Sequence, residues 1–573
     1  MITIEANGRP IKARPGEMLL AALGRAGIRV PTLCHVEGLS PTGACRLCVV
    51  EVEGQRTLVP SCAFPVAEGM KVRTHSPRAL RARKTIVELL LANHPDDCLY
   101  CIRNGTCQLQ VIAEELGVRQ RRYMGARTGS KIDTSSPSIV RDPDKCILCG
   151  KCVRTCEEIQ GVAAIDFHGR GSRTRVGTAF DEGLNVSGCV NCGQCILACP
   201  TGSLREQSHI KEVLAALDDP RRFVVVQHAP SVSVTLAEEF GARPGTDVAG
   251  QLNAALRQLG FERVFDSAFA ADLTVMEEAS ELVDRIKRGG RLPLMTSCSP
   301  GWIKFVEQAY PDLIENLSTC KSPPQMLGAL VKTYFAERMT LDPAKIFSVA
   351  VMPCTAGKFE AERPEMARGG AADVDAVLTT RELARIIRMR GIDLAALAPE
   401  PADSPLGQRS TAGKLFGASG GVLEAVLRSV HFLLTSKDME HPKVLAVRGP
   451  RGIKEARIRI GDLELNVVAV SGLANARRVL DEVRRGRHQV HFVEVMACPG
   501  GCVAGGGQPL RTNPEAVEAR MQALYRIDRD ERVRTAHGNE AVLRLYREYL
   551  GRPLGPRSHE LLHTHYSRRE VVV

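Results

Sequence analysis

Residues 146–156 read CILCGKCVRTC, and residues 189–200 read CVNCGQCILACP. Each run spaces four cysteines as C-x2-C-x2-C-x3-C, so the second run is an internal repeat of the first. Thiols at this spacing can be directed to one iron–sulfur cluster, whereas a zinc site does not require two matched runs of four thiols. The repeat therefore predicts a domain over 138–208 that is built around two inorganic clusters.

The repeat resembles the bacterial two-cluster ferredoxins, in which the fourth cysteine of each run binds the other cluster. The resemblance implies two 4Fe–4S ligand sets, which are Cys146, Cys149, Cys152 with Cys199, and Cys189, Cys192, Cys195 with Cys156. Neighbouring clusters pass electrons one at a time, so we expect this domain to conduct electrons.

Two further groups of metal-binding residues precede the repeat. The first follows a hairpin predicted at 2–13 around Asn7-Gly8 and a helix predicted at 17–26. Its members are Cys34, Cys45, Cys48 and Cys62. A β-rich domain with such a loop, here 1–78, resembles the plant-type 2Fe–2S ferredoxins and their β-grasp fold. A structural zinc ion is the alternative for these four thiols.

The second group follows a helix predicted at 77–93. Its members are His94, Cys98, Cys101 and Cys107. One imidazole and three thiols suit either a tetrahedral zinc ion or a 4Fe–4S cluster. The neighbouring cluster motifs favour 4Fe–4S in a small domain over 79–119. Residues 120–137 are basic, rich in Gly and Ser and without apolar periodicity, which is typical of a linker.

The composition limits the class of protein. The 573 residues include 20 cysteines and 44% hydrophobic residues and carry a formal charge of +11, which fits a multidomain globular chain. The sequence has neither an apolar run of ~18 residues nor a cationic leader, so we expect a cytoplasmic protein that does not interact with membranes. In a reducing compartment, clustered thiols bind metal. Four oxidised accessory clusters bring about −7 and leave roughly +4, which argues against a nucleic-acid partner.

Beyond residue 208 apolar strands alternate with helical segments, which predicts a large α/β domain over 209–510 with mostly parallel sheets. The predicted strands are 223–227, 347–352, 374–378, 444–447, 467–470 and 491–495, and the predicted helices include 248–259 and 420–429. Cys354 and Cys498 directly follow predicted strands, and Cys502 lies close behind. Because sites in such folds form beyond the carboxyl ends of strands, these cysteines predict a convergent metal site.

Three motifs surround these cysteines: TSCSPGW at 296–302, MPCTAGKFE at 352–360 and EVMACPGGCVAGGGQP at 494–509. They resemble the signature motifs of the catalytic subunits of iron-only (di-iron, FeFe) hydrogenases. The cluster arrangement is similar to that of the clostridial type and of the NAD(P)-linked, electron-bifurcating type. The tail GRPLGPRSHELLHTHY at 551–566 is similar to the family's small-subunit segment, so we expect a small helical segment over 511–573.

The resemblance implies an H-cluster, in which a 4Fe–4S cubane is joined through a cysteine thiolate to a di-iron unit that carries CO, cyanide and a bridging azadithiolate. It implies that Cys502 is the bridging thiolate and that Cys354 and Cys498 bind the cubane. The cofactors expected are therefore one 2Fe–2S cluster, three accessory 4Fe–4S clusters and the H-cluster. The reaction implied is 2H⁺ + 2e⁻ ⇌ H₂.

The family's other site residues also have counterparts here. The proton relay maps onto Cys298, Glu278, Ser318, Glu281 and Arg285. The relay positions 278, 281 and 285 share one face of a predicted helix, for which a solvated amphipathic face is the alternative. Contacts with the cofactor are implied for Ala229, Pro230, Ser231, Met352, Phe416, Gly417 and Met496.

Three positions near the expected di-iron unit depart from the family. Ser299 stands where the family has a cysteine ligand of the cubane, so either a Ser299 alkoxide or Cys298 is expected to bind that iron. Gly357 stands where the family has a lysine that contacts cyanide, with Lys358 adjacent as a candidate replacement. Pro324 stands where glutamine is common.

The sequence thus predicts a hydrogenase catalytic subunit that exchanges electrons with an NAD(P)- or ferredoxin-linked partner. The glycine runs lack the setting of a nucleotide site, so flavin and NAD(P) are expected on a partner subunit of a hetero-oligomer. An electron-transfer or sensory homologue without the di-iron unit is the alternative that Ser299 and Gly357 would suit. An iron–sulfur subunit of an NADH or formate dehydrogenase is disfavoured, because such chains continue into a molybdopterin-type domain.

Overall fold

The computed structural model describes residues 1–125, 131–439, 446–486, 489–510 and 512–572. The N-terminal region forms a five-stranded sheet in the order β2-β1-β5-β3-β4. Its elements are β1 (Ile2–Ala6), β2 (Arg9–Ala13), α1 (Leu19–Arg25), β3 (Val49–Val52), β4 (Val59–Pro60) and β5 (Lys71–Arg73). Asn7 and Gly8 have positive φ in the β1–β2 turn, which confirms the predicted hairpin.

Short elements around cysteine-rich loops follow. They are α2 (Pro77–Asn93), α3 (Gln108–Glu115), β6 (Ile139–Arg141), α4 (Lys151–Arg154), β7 (Asp166–His168), β8 (Arg175–Gly177), α5 (Gln194–Ala198) and β9 (Leu204–Glu206). Strand β6 pairs with β9 and β7 with β8, both antiparallel. The helix predicted at 77–93 is confirmed, and residues 126–130 of the predicted linker lie outside the described residues.

The large region contains two four-stranded sheets. The first sheet is wholly parallel, in the order β11-β10-β13-β16. In the second, ordered β12-β19-β18-β17, only the β17–β18 pair is antiparallel. The strands are β10 (Phe223–His228), β11 (Arg263–Asp266), β12 (Leu294–Met295), β13 (Ile346–Met352), β14 (Ala367–Arg368), β15 (Ala371–Ala372), β16 (Ala376–Thr379), β17 (Ile453–Ile460), β18 (Leu463–Ser471) and β19 (Phe492–Met496).

Helices cover both sheets, and the strand residues are mostly buried except on the edge strand β17 and at the start of β18. They are α6 (Ile210–Leu217), α7 (Pro230–Ser233), α8 (Ala249–Gln258), α9 (Ala268–Arg288), α10 (Pro300–Ala309), α11 (Pro323–Leu330), α12 (Ala336–Met339), α13 (Ala356–Ala361), α14 (Thr380–Met389), α15 (Thr411–Leu415), α16 (Gly421–Thr435) and α17 (Leu473–Arg484). The mostly parallel α/β arrangement predicted for this region is therefore present.

The predicted strands 223–227, 347–352, 467–470 and 491–495 fall on β10, β13, β18 and β19. The prediction at 374–378 overlaps β16, which begins at Ala376. Residues 444 and 445 of the predicted strand 444–447 lie outside the described residues. Strand β17 escaped prediction because it is an edge strand, IKEARIRI, in which charged and apolar residues alternate.

The first half of helix α9 is buried among α11, α15 and α16. This helix carries Glu278, Glu281 and Arg285, the three residues of the predicted proton relay that share a helix face. The C-terminal helices are α18 (Pro514–Asp530), α19 (Glu540–Leu545) and α20 (Pro556–Leu562). The segment that contains α19 and α20 attaches to α9 at Glu277, which accepts hydrogen bonds from Tyr546 and Ser558. Within the described part of the chain, no helix combines the length and apolar character that crossing a bilayer requires.

Candidate active site

The four N-terminal cysteines predicted to bind one centre lie together. Cys34 accepts hydrogen bonds from the Cys45 and Cys62 thiols, which lowers the pKa of Cys34. Cys62 also contacts Cys48, and this hydrogen bond lowers the pKa of Cys48 to about 7. The loop after α1 and the turn after β4 thus bring all four thiols to one place, where they are accessible to a shared metal centre.

His94 and its three cysteines occupy the loop between α2 and α3. His94 ends α2, and Cys107 precedes α3. The imidazole is buried, and its Nδ1 atom has no hydrogen-bond partner among the described residues. Burial lowers the pKa of His94, which keeps the ring neutral. A neutral, buried imidazole with an unpaired nitrogen is suited to metal ligation.

Each half of the cysteine repeat surrounds a cavity. One cavity of about 440 Å³ is lined by Cys146, Cys149, Cys152 and Cys199. Another of about 460 Å³ is lined by Cys156, Cys189, Cys192 and Cys195. Each cavity draws one cysteine from the opposite run, which is the geometry of the predicted crossover.

The glycine run Gly505–Gly507 joins the second of these cavities to the α/β region. A Cβ on Gly506 would lie 2.3 Å from the carbonyl oxygen of Cys192, and one on Gly505 would lie 2.3 Å from that of Pro353. The Thr355 hydroxyl donates to the Asn191 carbonyl at 2.7 Å across the same contact. Only glycine permits such close backbone approach, so the run lets the ferredoxin-like loop reach the Cys354 loop.

A cavity of about 610 Å³ lies at the carboxyl ends of β10, β13 and β19, where α/β folds place their sites. Cys298, Cys354 and Cys502 line it. Seven of the residues predicted to contact a cofactor also line it, namely Ala229, Pro230, Ser231, Met352, Phe416, Gly417 and Met496. The structure therefore gathers three separate motifs around one space.

Cys354, Cys498 and Cys502 form one electrostatically coupled group beside this cavity. Burial raises the pKa of Cys498 to about 11 and that of Cys502 to about 12. Thiolates in such a place need a compensating cation, and coordinated metal ions supply that charge. Cys498 also acts electrostatically on Cys192, so the group adjoins the 460 Å³ cavity.

Cys298 and Ser299 occupy different places. Cys298 lines the 610 Å³ cavity, and burial raises the pKa of its thiol well above the usual range, which keeps it protonated. Ser299 precedes α10, and its Oγ accepts a hydrogen bond from the Ala497 N–H at 3.3 Å. Because Ala497 directly precedes Cys498, the serine hydroxyl lies on the side of the cysteine group.

The prediction that Lys358 contacts the cofactor is wrong. Its ammonium donates to the Val377 carbonyl and lies 3.0 Å from a carboxylate oxygen of Glu382, fully buried behind the cavity. Consecutive residues of a helix point about 100° apart. The shift by one residue from Gly357 therefore turns this side chain towards β16, and Gly357 and Pro324 themselves line the cavity.

Two residues that also line the cavity, Ser322 and Glu360, were absent from the predicted cofactor contacts. The Ser322 hydroxyl donates to Glu360 at 2.7 Å. Burial raises the pKa of Glu360 to about 7, so its carboxyl can hold or release a proton near neutrality. The available signal was the position of Glu360 inside the MPCTAGKFE motif.

The residues predicted for a proton relay are connected. Ser318 donates to a Glu281 carboxylate oxygen at 3.0 Å, and Arg285 binds the same carboxylate at 2.6 Å. Ser318 also acts on Glu278, whose pKa it lowers, and the Ser297 N–H donates to the Glu278 carboxyl at 3.4 Å. Beyond Glu278 lies Cys298, whose thiol feels the charge of that carboxylate.

Glu278 is fully buried, which excludes the alternative of a solvated helix face. Burial and the neighbouring Glu281 raise the pKa of Glu278 to about 8. One of its oxygens has no hydrogen-bond partner among the described residues. The outer end of the chain, Glu281 and Arg285, lines a surface groove of about 1390 Å³. The residues thus lead from the central cavity to solvent.

Models of five protein families match the chain. The matches are "2Fe-2S iron-sulfur cluster binding domain" at 1–77, "NADH-ubiquinone oxidoreductase-G iron-sulfur binding region" at 83–122, "4Fe-4S dicluster domain" at 145–203, "Iron only hydrogenase large subunit, C-terminal domain" at 222–506 and "Iron hydrogenase small subunit" at 514–569. They cover the iron–sulfur regions, the α/β region and the C-terminal helices in turn.

Individual relatives span the whole chain. The NADP-reducing hydrogenase subunit HndD of Solidesulfovibrio fructosivorans is 45% identical, with 100% of this chain and 99% of that protein covered. Iron hydrogenase 1 of Clostridium pasteurianum is 39% identical, with 99% and 100% covered. A solved apo [FeFe]-hydrogenase variant from Chlamydomonas reinhardtii has a TM-score of 0.57 and 40% identity, over 63% of this chain and 99% of that one.

Proposed function

This chain belongs to the iron-only hydrogenase family, and from that membership we propose that its 610 Å³ cavity houses an H-cluster at which protons and electrons are interconverted with H₂. The observation that carries the proposal is the convergence of three motifs on this cavity, with a buried cysteine group on one side and a proton relay on another.

We assign the metal ligands as follows. Cys354, Cys498 and Cys502 would hold the cubane of the H-cluster together with the Ser299 hydroxyl, and Cys502 would also bind the di-iron unit. The accessory sets are Cys34, Cys45, Cys48 and Cys62 for 2Fe–2S, then His94, Cys98, Cys101 and Cys107 for 4Fe–4S, and the two crossed sets of the cysteine repeat. The lining of the 440 and 460 Å³ cavities supports the crossed sets.

The chemistry that the H-cluster supplies when bound is the reversible formation of H₂ from two protons and two electrons. The protein's own part is to bind the cofactor and deliver protons. Cys298 stays a protonated thiol at the cavity wall because burial raises its pKa, and the Ser299 hydroxyl accepts a hydrogen bond from the residue that precedes Cys498. Cys298 exchanges its proton with Glu278, from which Ser318, Glu281 and Arg285 continue to the surface groove.

The crossed clusters would supply electrons to the cavity, since Cys192 of the proposed Cys189 set lies close enough to Cys498 to feel its charge. We place the boundaries of the electron-transfer and catalytic units at 1–78, 79–119, 138–208, 209–510 and 511–573. The five-stranded sheet with α1 supports a β-grasp fold for the first unit.

The NADP-reducing relative supports a hetero-oligomer in which a partner subunit carries flavin and NAD(P). Ferredoxin as the partner and a cytoplasmic location remain predictions of the sequence.

Hydrogen turnover by protein produced with and without the hydrogenase maturation proteins tests the proposal. We expect matured, anaerobically purified protein to evolve H₂ from reduced methyl viologen and unmatured protein to be inactive with its accessory clusters intact. If the matured protein carries every accessory cluster but neither evolves nor oxidises H₂, the electron-transfer homologue is the better account. In that event Ser299→Cys with Gly357→Lys should restore activity.

A further inference from the structure

The loop that carries Cys101 and Cys107 packs directly against the last cysteine of the repeat. The N–H of Gln108 donates to the carbonyl oxygen of Pro200 at 3.0 Å. A Cβ on Gly202 would lie only 2.7 Å from the Cys101 sulfur. The loops of the proposed His94 set and the proposed Cys146 set are therefore in direct contact.

Arg103 fills the seam between these two sites. Only 4% of its surface is exposed, and its Nη2 donates to the Cys199 carbonyl at 3.2 Å. Its Nε and Nη1 atoms are buried and have no hydrogen-bond partner in the described part of the chain. The charges that act favourably on this guanidinium include those of the Cys199 and Cys107 sulfurs.

Two other cationic side chains near Arg103 already have carboxylate partners. Arg381 lies 2.9 Å from Glu206, and Lys145 lies 2.9 Å from Asp97. A buried guanidinium without a carboxylate partner is costly, so a structure retains it where another negative charge faces it. Here the groups that face Arg103 are the thiolates of two proposed clusters, which become more negative on reduction.

We propose that Arg103 is a positioning and charge-tuning residue that favours the reduced state of the clusters on both sides of it. The inference rests on the proposed ligand sets. Each cluster gains one negative charge when it accepts an electron, and a fixed cation in a water-poor seam stabilises that charge strongly. Arginine suits this role because its guanidinium stays charged when buried. The residue thereby raises the reduction potential of both clusters relative to a protein that lacks this charge.

Redox titration of the full-length protein, followed by electron paramagnetic resonance, tests the proposal without relying on catalysis. Arg103→Gln removes the charge, and Arg103→Lys keeps it but cannot reproduce the fork of donors. The matched control is Arg170→Gln, which removes an exposed arginine from the β7–β8 turn of the same region. Iron content and melting temperature are measured for every variant, and Arg103→Met replaces Arg103→Gln if the latter fails to retain its clusters.

At a fixed potential, we expect Arg103→Gln to lower the ratio of reduced to oxidised cluster at least about tenfold for each of the two flanking 4Fe–4S clusters. This change corresponds to a midpoint potential that is more negative by about 59 mV. In Arg103→Gln, the potential of the 2Fe–2S cluster should stay near the parent value. In Arg103→Lys and Arg170→Gln, the potentials of all clusters should stay near the parent values. Unmoved potentials in Arg103→Gln, or equal shifts in Arg103→Lys, would overturn the proposal. If the parent itself lacks the two 4Fe–4S signals, it is instead the ligand assignment of the proposed function that fails.

Discussion

Replacing Glu278 by glutamine should block proton delivery while leaving the clusters in place. Glu278 is the buried link between Cys298 at the cavity and Ser318 on the way to the surface. Glutamine preserves the shape of the side chain but cannot release a proton at this position. Losing one acid–base group costs about 10²- to 10⁴-fold in rate, so H₂ evolution from reduced methyl viologen should fall at least about a hundredfold.

Glu277→Gln provides the matched control, because Glu277 is equally buried on the same helix but faces the C-terminal segment. There it accepts hydrogen bonds from the Tyr546 hydroxyl at 2.6 Å and the Leu554 N–H at 2.8 Å. Its replacement should weaken these charge-assisted bonds, at a cost of about 1.5–3 kcal/mol each at most, and leave turnover of the same order. Both variants are assayed at equal cofactor content.

The titration of Glu278 gives a second readout of the same substitution. Burial raises its pKa from 4.5 to about 8, so between these values the folded protein holds a proton that the unfolded chain has released. The stability from this group is complete below the lower value and is lost as pH rises through the upper one, at up to about 1.4 kcal/mol per unit. Glutamine does not titrate, so this loss of stability is absent from Glu278→Gln. The free energy of unfolding of Glu278→Gln in urea, relative to that of the parent, should therefore rise from pH 6 to pH 8.

These results would refute the relay in two ways. Turnover of Glu278→Gln equal to that of Glu277→Gln, at equal cofactor content, would show that protons reach the cavity by another route. A stability difference that does not change with pH would show that Glu278 is not the buried titrating group described here.

Three other substitutions test separate parts of the account. Cys199→Ser should remove the cluster bound by the Cys146 set and spare that of the Cys189 set, as seen in paramagnetic resonance spectra, whereas the reverse loss would contradict the crossover. Gly506→Ala places a Cβ 2.3 Å from the Cys192 carbonyl oxygen, so it should cost about 1–3 kcal/mol in urea unfolding and slow electron entry in stopped-flow reduction. Lys358→Met leaves a buried carboxylate unpaired and should cost about 3–5 kcal/mol of stability without altering cofactor spectra. Altered spectra would place that lysine at the cofactor after all.

Much of the molecule follows from local sequence patterns. The spacing of the cysteine runs predicted two cluster sites, and the resemblance to two-cluster ferredoxins implied the crossed arrangement of cysteines around the two cavities. Strands β10, β13, β18 and β19 were predictable because buried parallel strands are continuous apolar runs. The hairpin around Asn7-Gly8 was predictable because few other residues adopt its positive φ.

The features that the sequence did not predict depend on the direction of side chains and on contacts between residues far apart in the chain. Lys358 seemed able to replace a missing lysine because it is adjacent in sequence, but a helix turns each residue away from the last. The lining role of Ser322 and Glu360 appears only when α11 and α13 are packed together. Strand β17 has the charge pattern of an exposed segment, and only its pairing with β18 identifies it as the edge of a sheet.

An infrared spectrum of the matured, anaerobically purified protein tests the central claim most directly. The account predicts the sharp absorption bands of CO and cyanide bound to iron, because we propose that the cavity lined by Cys354 and Cys502 houses the di-iron unit. A protein that contains its full complement of cubane iron yet shows neither set of bands would contradict it.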